Sequence, residues 1–294
     1  MSEEGVDAVR IVVTGGSGFV GAHLCRFARS RHDVIALWNK TPLVMPGVRS
    51  VQCDLTKPSA PSVIKGLQPD AIVHLAYKIK GAGEQKAVNA QMMASVLALG
   101  LPTVYGSSTV VHWPVETAYS RARKDDEALL AASGLPWVSL RPSAPFGPRL
   151  VNHSPSHKES FHTLSDLVRR SPIVPIIGTG HYLRQPIFVD DFSCAAVELI
   201  ERGLPNRAFD VGGRDALSFN EVVSTLAVAM GKRIRTVHLP KAMFVALAPF
   251  TRDFDPDLIR TLDVDDVADP GPLADLLGWQ PRSFKGAVGC LVAR

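Results

Sequence analysis

At 294 residues, 46% of them apolar and 20% charged, the chain can bury a large core, and its composition excludes the disordered and fibrous classes. Its net charge of +4 comes from scattered Lys and Arg rather than a basic run, which favours a phosphate-bearing small molecule over nucleic acid as partner. Cys25, Cys53, Cys194 and Cys290 lie far apart, with no CxxC pair and no His at metal spacing; together with an acidic, polar opening (MSEEGVDAVR) and no apolar run of bilayer length, they imply a metal-free cytoplasmic protein with reduced thiols and no membrane contact.

The first element in chain order is the apolar, β-branched run VRIVVTGGSGFVG at 9–21, which breaks into glycines just as a helical pattern begins at 19–29. A strand feeding a tight Gly turn aims the free N–H groups of the next helix, and its dipole, at one point that attracts a pyrophosphate. Gly15 permits the turn, Gly18 lets backbone approach phosphate, Gly21 lets the helix pack closely, and Gly16, Ser17, Phe19 and Val20 complete the expected dinucleotide cradle. Strands are predicted at 33–38, 49–53, 71–76, 103–107 and 137–141, alternating with helices near 59–66, 84–99 and 119–132. This alternation predicts an α/β, Rossmann-like, doubly wound parallel sheet with ligands at the carboxyl ends of its strands. Beyond Pro142 the pattern loosens. A Pro, Gly, Ser and His-rich loop at 145–157 leads toward a smaller C-terminal substrate-binding lobe. Two segments, 186–189 before a helix at 190–202 and 208–211, read as returning to the sheet. The expected division is a dinucleotide-binding domain of 1–148 plus about 186–211, and a lobe of about 149–185 and 212–294.

The ordered motifs TGGSGFVG (14–21), CDLT (53–56), HLA (74–76), GSST (106–109), YSRAR (119–123), LRPSAPFGP (140–148), LRQPIFVDDF (183–192), DVGG (210–213) and LLGWQPRSF (276–284) resemble the extended short-chain dehydrogenase/reductase family, which includes nucleotide-sugar epimerases, dehydratases and ketoreductases. The resemblance implies that Asp54 and Leu55 contact the cofactor's adenine end, that Leu75 and Ala76 run beside its ribose, and that Pro142 also adjoins it. Asp54 has a competing role as the cap of the turn that follows it. At the end of the second strand an acid would accept from a ribose 2′-OH and repel a 2′-phosphate. The chain has Trp38, Asn39 and Lys40 there, so NADP(H) is expected over NAD(H), with Asn39 and Lys40 near the phosphate.

Catalysis in the family uses a Tyr, a Lys four residues later on the same helical face, and a Ser or Thr after the fifth strand. Tyr119 takes the first place as general acid/base and cofactor neighbour, Ser108 the third, with Thr109 next. At the Lys position stands Arg123, permanently charged and wider in the head; Lys124 points to another face. The alternative for the pair is a helix-start aromatic beside a solvated charge. The link from Ser108 to Tyr119 is shorter than in the family, and His112 and Trp113 occupy the expected pocket wall, with Tyr77 also facing substrate. Arg184 matches an arginine that contacts substrate phosphates in nucleotide-sugar members, or else pairs with Asp190 or Asp191. The apolar run 240–250 lines a pocket or forms a buried helix.

The resulting expectation is an NADP(H)-dependent ketoreductase or epimerase/dehydratase acting on a carbonyl or secondary alcohol, working as a homodimer. The alternative is a cofactor-binding protein with a degenerate site, a redox-inactive sensor or non-redox catalyst. A pure interaction module fits least, because it gives the glycine turn, Asp54 and Tyr119 no common reason.

Overall fold

The computed structural model describes residues 7–79, 82–151, 153, 155, 159–243 and 260–292. In chain order its elements are β1 (Arg10–Thr14), α1 (Phe19–Ala28), β2 (Asp33–Trp38), β3 (Arg49–Gln52), α2 (Ala60–Lys65), β4 (Ala71–His74), α3 (Ala82–Leu97), β5 (Thr103–Gly106), α4 (Ala118–Ala132), β6 (Trp137–Pro142), α5 (Ser160–Arg170), β7 (Ile173–Ile177), β8 (Leu183–Arg184), α6 (Val189–Arg202), β9 (Arg207–Val211), β10 (Leu217–Ser218), α7 (Phe219–Ala229), β11 (Arg235–Leu239), α8 (Gly271–Leu277) and α9 (Phe284–Ala287). Seven strands form one parallel sheet in the order β3-β2-β1-β4-β5-β6-β9.

Because neighbouring strand residues point to opposite faces, β1 sends Ile11 and Val13 into one core and Val12 into the other. The first core joins the sheet to α1 and α6 through Ala22, Leu24, Phe192 and Ala196; the second joins it to α2 and α3 through Ile64, Met92 and Val96. Burial on both faces explains why the central strands read as continuous apolar runs rather than alternating ones. Strand order reverses at the β1–β4 boundary, so the loops leaving β1 and β4 diverge there and open a crevice at the carboxyl edge.

The smaller lobe is built from α5, α7, the parallel pair β7–β11 and the antiparallel pair β8–β10, around Phe161, Val174, Val222 and Leu226. Phe146 ties it to the loop after β6, its ring centroid 5.0 Å from that of Phe284 and 5.6 Å from those of Phe161 and Phe188. Two expectations are revised. Residues 186–189 are not a sheet strand: Phe188 makes one isolated parallel bridge to Phe146, and Val189 already opens α6, leaving β9 as the only late return to the sheet among the described residues. The segment Gly271–Leu277 packs Leu273 and Leu277 into the core beneath α6, not into the lobe. Of the apolar run 240–250, residues 244–250 lie outside the described residues.

Glycine matters most at two positions of the first turn. Gly15 has φ +67°, and a Cβ there would sit 2.7 Å from the Ala76 nitrogen; at Gly21 a Cβ would be driven into the carbonyl oxygen of Gly15 and lie 2.9 Å from the Gly16 Cα. Gly21→Ala should therefore cost about 1–3 kcal/mol by overpacking, read as a drop in thermal midpoint. Gly289→Ala, with nothing within 4 Å, is the control expected to leave the midpoint in place.

Candidate functional site

The loops leaving β1 to β6 converge on one cavity of about 810 Å³. Its wall takes Gly15, Ser17, Gly18, Phe19, Val20 and Gly21 from the first turn, Trp38 at the end of β2 with Asn39 and Lys40 after it, and Asp54 and Leu55 after β3. Leu75, Ala76 and Tyr77 follow β4, Ser107 and Ser108 follow β5, Pro142 closes β6, and Tyr119 and Arg123 come from α4. At the start of α1 the first intrahelical bond is Ala22 N–H to Gly18 O, at 2.9 Å, so the N–H groups of Phe19, Val20 and Gly21 precede the ladder and are open to an anion. No acidic side chain stands in that first turn. Gly16 serves differently, since its N–H donates to Leu37 O at 3.0 Å and its Cα packs on Ala36, so it shapes the turn without lining the cavity.

Thr14 links the two crevice loops. Its Oγ1 accepts from the N–H groups of Leu75 (3.1 Å) and Ala76 (3.2 Å), and so donates its own hydrogen to His74 Nδ1 at 2.7 Å. Complete burial, helped by the Arg123 charge, pushes His74 down to about 3, which keeps it neutral with its proton on Nε2. Asp54 Oδ1 accepts from Thr56 N–H (3.0 Å) and Thr56 Oγ1 (2.7 Å), and these bonds hold its carboxyl below the usual range. Asp54 thus closes the turn after β3 and lines the cavity as well. Lys40 is exposed and has no ion-pair partner among the described residues.

At the other end of the cavity, Arg123 is only 6% exposed. Its Nη1 donates to Gly106 O at 2.7 Å and Tyr105 Oη at 2.9 Å, and its Nη2 donates to Tyr119 Oη at 3.2 Å. The guanidinium carbon lies 3.6 Å from the Tyr77 ring centroid, and the Tyr77 and Tyr119 rings meet edge to face at 5.3 Å. Burial works against the charge, but the surrounding phenol oxygens more than offset it, and Arg123 titrates above the ordinary arginine range. The solvated-charge alternative for Arg123 is therefore excluded. Ser108 Oγ accepts from Val110 N–H at 3.4 Å, and its own hydrogen has no acceptor among the described residues. A proton donor, a fixed cation and a free hydroxyl thus share one end of a cavity whose other end suits an anion.

Besides Gly16, four residues expected at the site lie outside this wall. Thr109 is buried, and its Oγ1 donates to Asp266 Oδ1 at 2.5 Å; Trp113 Nε1 donates to the same oxygen at 3.3 Å. His112 pairs with Asp210 at 2.9 Å. Arg184 stacks 4.6 Å from the Tyr182 ring and donates to the carbonyls of Leu262 (3.0 Å), Leu183 (2.8 Å) and Val264 (2.6 Å). Neither Asp190 nor Asp191 is its partner, for these bond Arg26 and Arg282. Sequence reasoning missed Tyr105, Asp126 and Glu159. Tyr105 reads as a core strand residue and Asp126 as one charge among KDDE, although its place one turn after Arg123 was a usable signal. Among the described residues there is no cluster able to hold a metal and no helix long and apolar enough to cross a membrane.

The family model described as NAD dependent epimerase/dehydratase matches residues 11–109 and 115–212, which include the whole cavity wall. The chain belongs to the NAD dependent epimerase/dehydratase family. A probable dTDP-glucose 4,6-dehydratase of Sinorhizobium fredii is 24% identical over 274 residues, 76% of each chain. Among solved structures, dTDP-glucose 4,6-dehydratase from Bacillus anthracis in complex with NAD superposes with a TM-score of 0.77 at 17% identity, over 97% of this chain and 96% of the other. UDP-glucose 4-epimerase from Thermotoga maritima with UDP-glucose gives 0.75 at 20%, over 96% and 97%. At these identities the structures establish the shared fold.

Glu159, half-buried on the cavity wall at the start of α5, is pushed up to about 7 by burial alone, from an ordinary 4.5. The native carboxyl keeps its proton until about pH 7 while the unfolded one loses it near 4.5, so the native state binds more protons between them and stability falls as pH rises through that window. Glu159→Gln should remove this slope and gain up to about 3 kcal/mol at pH 8 relative to pH 4, by denaturant titration. Parallel slopes for the two proteins would refute the assignment.

Proposed function

We propose that the protein is an NADP(H)-dependent oxidoreductase, a ketoreductase or epimerase/dehydratase acting on a carbonyl or secondary alcohol, of a nucleotide-linked sugar or a related biosynthetic intermediate. The observation that carries this is Tyr119 Oη, 3.2 Å from a buried guanidinium, in the same cavity as a helix N-terminus with no side-chain cap and no acid in its first turn. The N–H groups of Phe19, Val20 and Gly21 would hold the pyrophosphate, Asp54 and Leu55 the adenine, and Leu75, Ala76, Pro142 and Arg123 the nicotinamide half. The bound nicotinamide supplies or accepts a hydride. Tyr119 gives a proton to the substrate oxygen on reduction or takes it on oxidation, Arg123 stabilises charge left on the phenol oxygen, and Ser108 donates a hydrogen bond to the substrate oxygen.

Lys40, exposed at the end of β2 with no acid beside it, supports the 2′-phosphate. Nucleotide-sugar chemistry is supported by the relatives' own substrates, the dTDP-glucose and UDP-glucose of their names. Arg184, committed to carbonyls of 262–264, would shape the substrate side from behind rather than grip phosphate. The homodimer would form through α3 and α4, whose outward face presents Leu129 at 45% exposure. Free thiols, with no disulfide among the described residues, suit a cytoplasmic setting. A second reading, a cofactor binder without redox turnover, is favoured by one observation: three of Arg123's hydrogen bonds are already made within the protein.

Calorimetry separates these points. NADPH should bind more tightly than NADH, and Lys40→Ala should weaken NADPH about tenfold while sparing NADH. Equal affinities, unchanged by Lys40→Ala, would remove the NADP assignment, and binding of neither would remove the oxidoreductase reading. On a panel of ketones and nucleotide sugars, Tyr119→Phe should lower turnover by about 10²–10⁴ with cofactor affinity kept. An absence of turnover by the wild type with firm cofactor binding would favour the redox-inactive reading.

A further inference from the structure

Arg123 brings a full charge into the protein, yet among the described residues no carboxylate touches it. One is reached through a phenol: Tyr105 Oη accepts from Arg123 Nη1 at 2.9 Å and donates to Asp126 Oδ2 at 2.8 Å. Tyr105 is fully buried and Asp126 is 3% exposed. A phenol is one of the few side chains able to accept and donate at once, so it connects cation and anion that are too far apart to pair directly. A buried charge whose partner is removed costs far more than an exposed one, and that makes the three groups a unit. Asp126 lies one helical turn beyond Arg123 on α4, on the side that faces the sheet, whereas its neighbour Asp125 is exposed and pairs with Lys86 on α3.

The geometry also requires arginine. A planar fork reaches Gly106 O, Tyr105 Oη and Tyr119 Oη with its central carbon 3.6 Å from the Tyr77 ring centroid; the compact ammonium of lysine would be a point charge with a shorter reach and no planar face. We propose that Tyr105 and Asp126 are positioning residues that fix the Arg123 guanidinium beside Tyr119 and thereby determine how tightly the nicotinamide half of a dinucleotide is held. This rests on the dinucleotide reading of the cavity. It also means that Arg123→Lys alone does not restore a family-like site, because it strands Tyr105 and Asp126.

The test compares two ligands that share an adenosine half. Calorimetric affinities are measured for the dinucleotide the wild type prefers, NADPH or NADH, and for its fragment, 2′,5′-ADP or 5′-AMP. In Asp126→Asn, dinucleotide affinity should fall about five- to tenfold with fragment affinity changed less than about twofold, because the lost constraint acts only at the nicotinamide end. Tyr105→Phe, which keeps the ring, should do the same and carries the comparison if Asp126→Asn fails to fold. Asp126→Asn combined with Arg123→Lys should be no weaker than the weaker single variant, as expected for one unit. Equal losses for both ligands, no loss for the dinucleotide, or effects of Asp126→Asn and Arg123→Lys that multiply would overturn the positioning role. A wild type that binds the fragment and the dinucleotide equally well overturns it too, while one that binds neither removes the dinucleotide reading and the positioning role together.

Discussion

Arg123 is buried at the edge of the cavity, against the Tyr77 ring and bonded to a backbone carbonyl and the hydroxyls of Tyr105 and Tyr119. A charge so placed needs polar partners, which both terminal nitrogens find while Nε has none among the described residues, and the arrangement draws on four parts of the chain: the loop after β4, the body and end of β5, and both the first turn and the middle of α4. The orientation of Tyr119, and with it any proton transfer at this end of the cavity, depends on that packing. Arginine stands where the resemblance implies a lysine, and Tyr105 links it to Asp126.

The sheet determines what the guanidinium faces. Because strand order reverses between β1 and β4, the loops at their carboxyl ends part, and the space between them is bounded by the bare start of α1 on one side and by Tyr77, Ser108 and Tyr119 on the other. The Thr14 hydroxyl, holding the Leu75 and Ala76 amides while bonding neutral His74, ties the two loops across the crevice.

Much of this was legible in the chain. The inner strands of the parallel sheet up to β6 and the helices between them follow from apolar runs and glycine turns, since a strand buried on both faces is mostly apolar and a close strand-to-helix turn excludes a Cβ, whereas the edge strand β3 is polar and largely exposed. The cavity wall was legible for the same reason, because loops at the carboxyl edge are fixed once strand order is fixed. What was not legible is what the distant C-terminal segment does. Asp266 claims Thr109 and Trp113, and the carbonyls of 262–264 claim Arg184, across sequence separations that no local pattern encodes. Residues 186–189 look like a strand because their apolar run is short and precedes a helix, yet only Phe188 bridges to its neighbour. The surroundings of Arg123 escaped for another reason: Tyr105 looks like ordinary core, and only its hydroxyl, aimed between Arg123 and Asp126, gives it a second role.

The most direct measurement is a crystal structure of the protein soaked with NADPH. The account requires density for the pyrophosphate at the N–H groups of Phe19, Val20 and Gly21, and for the nicotinamide ring beside Tyr119 with Arg123 still bonded to Tyr105. A nucleotide lodged elsewhere, or a nicotinamide that displaces the guanidinium from its phenols, would contradict it.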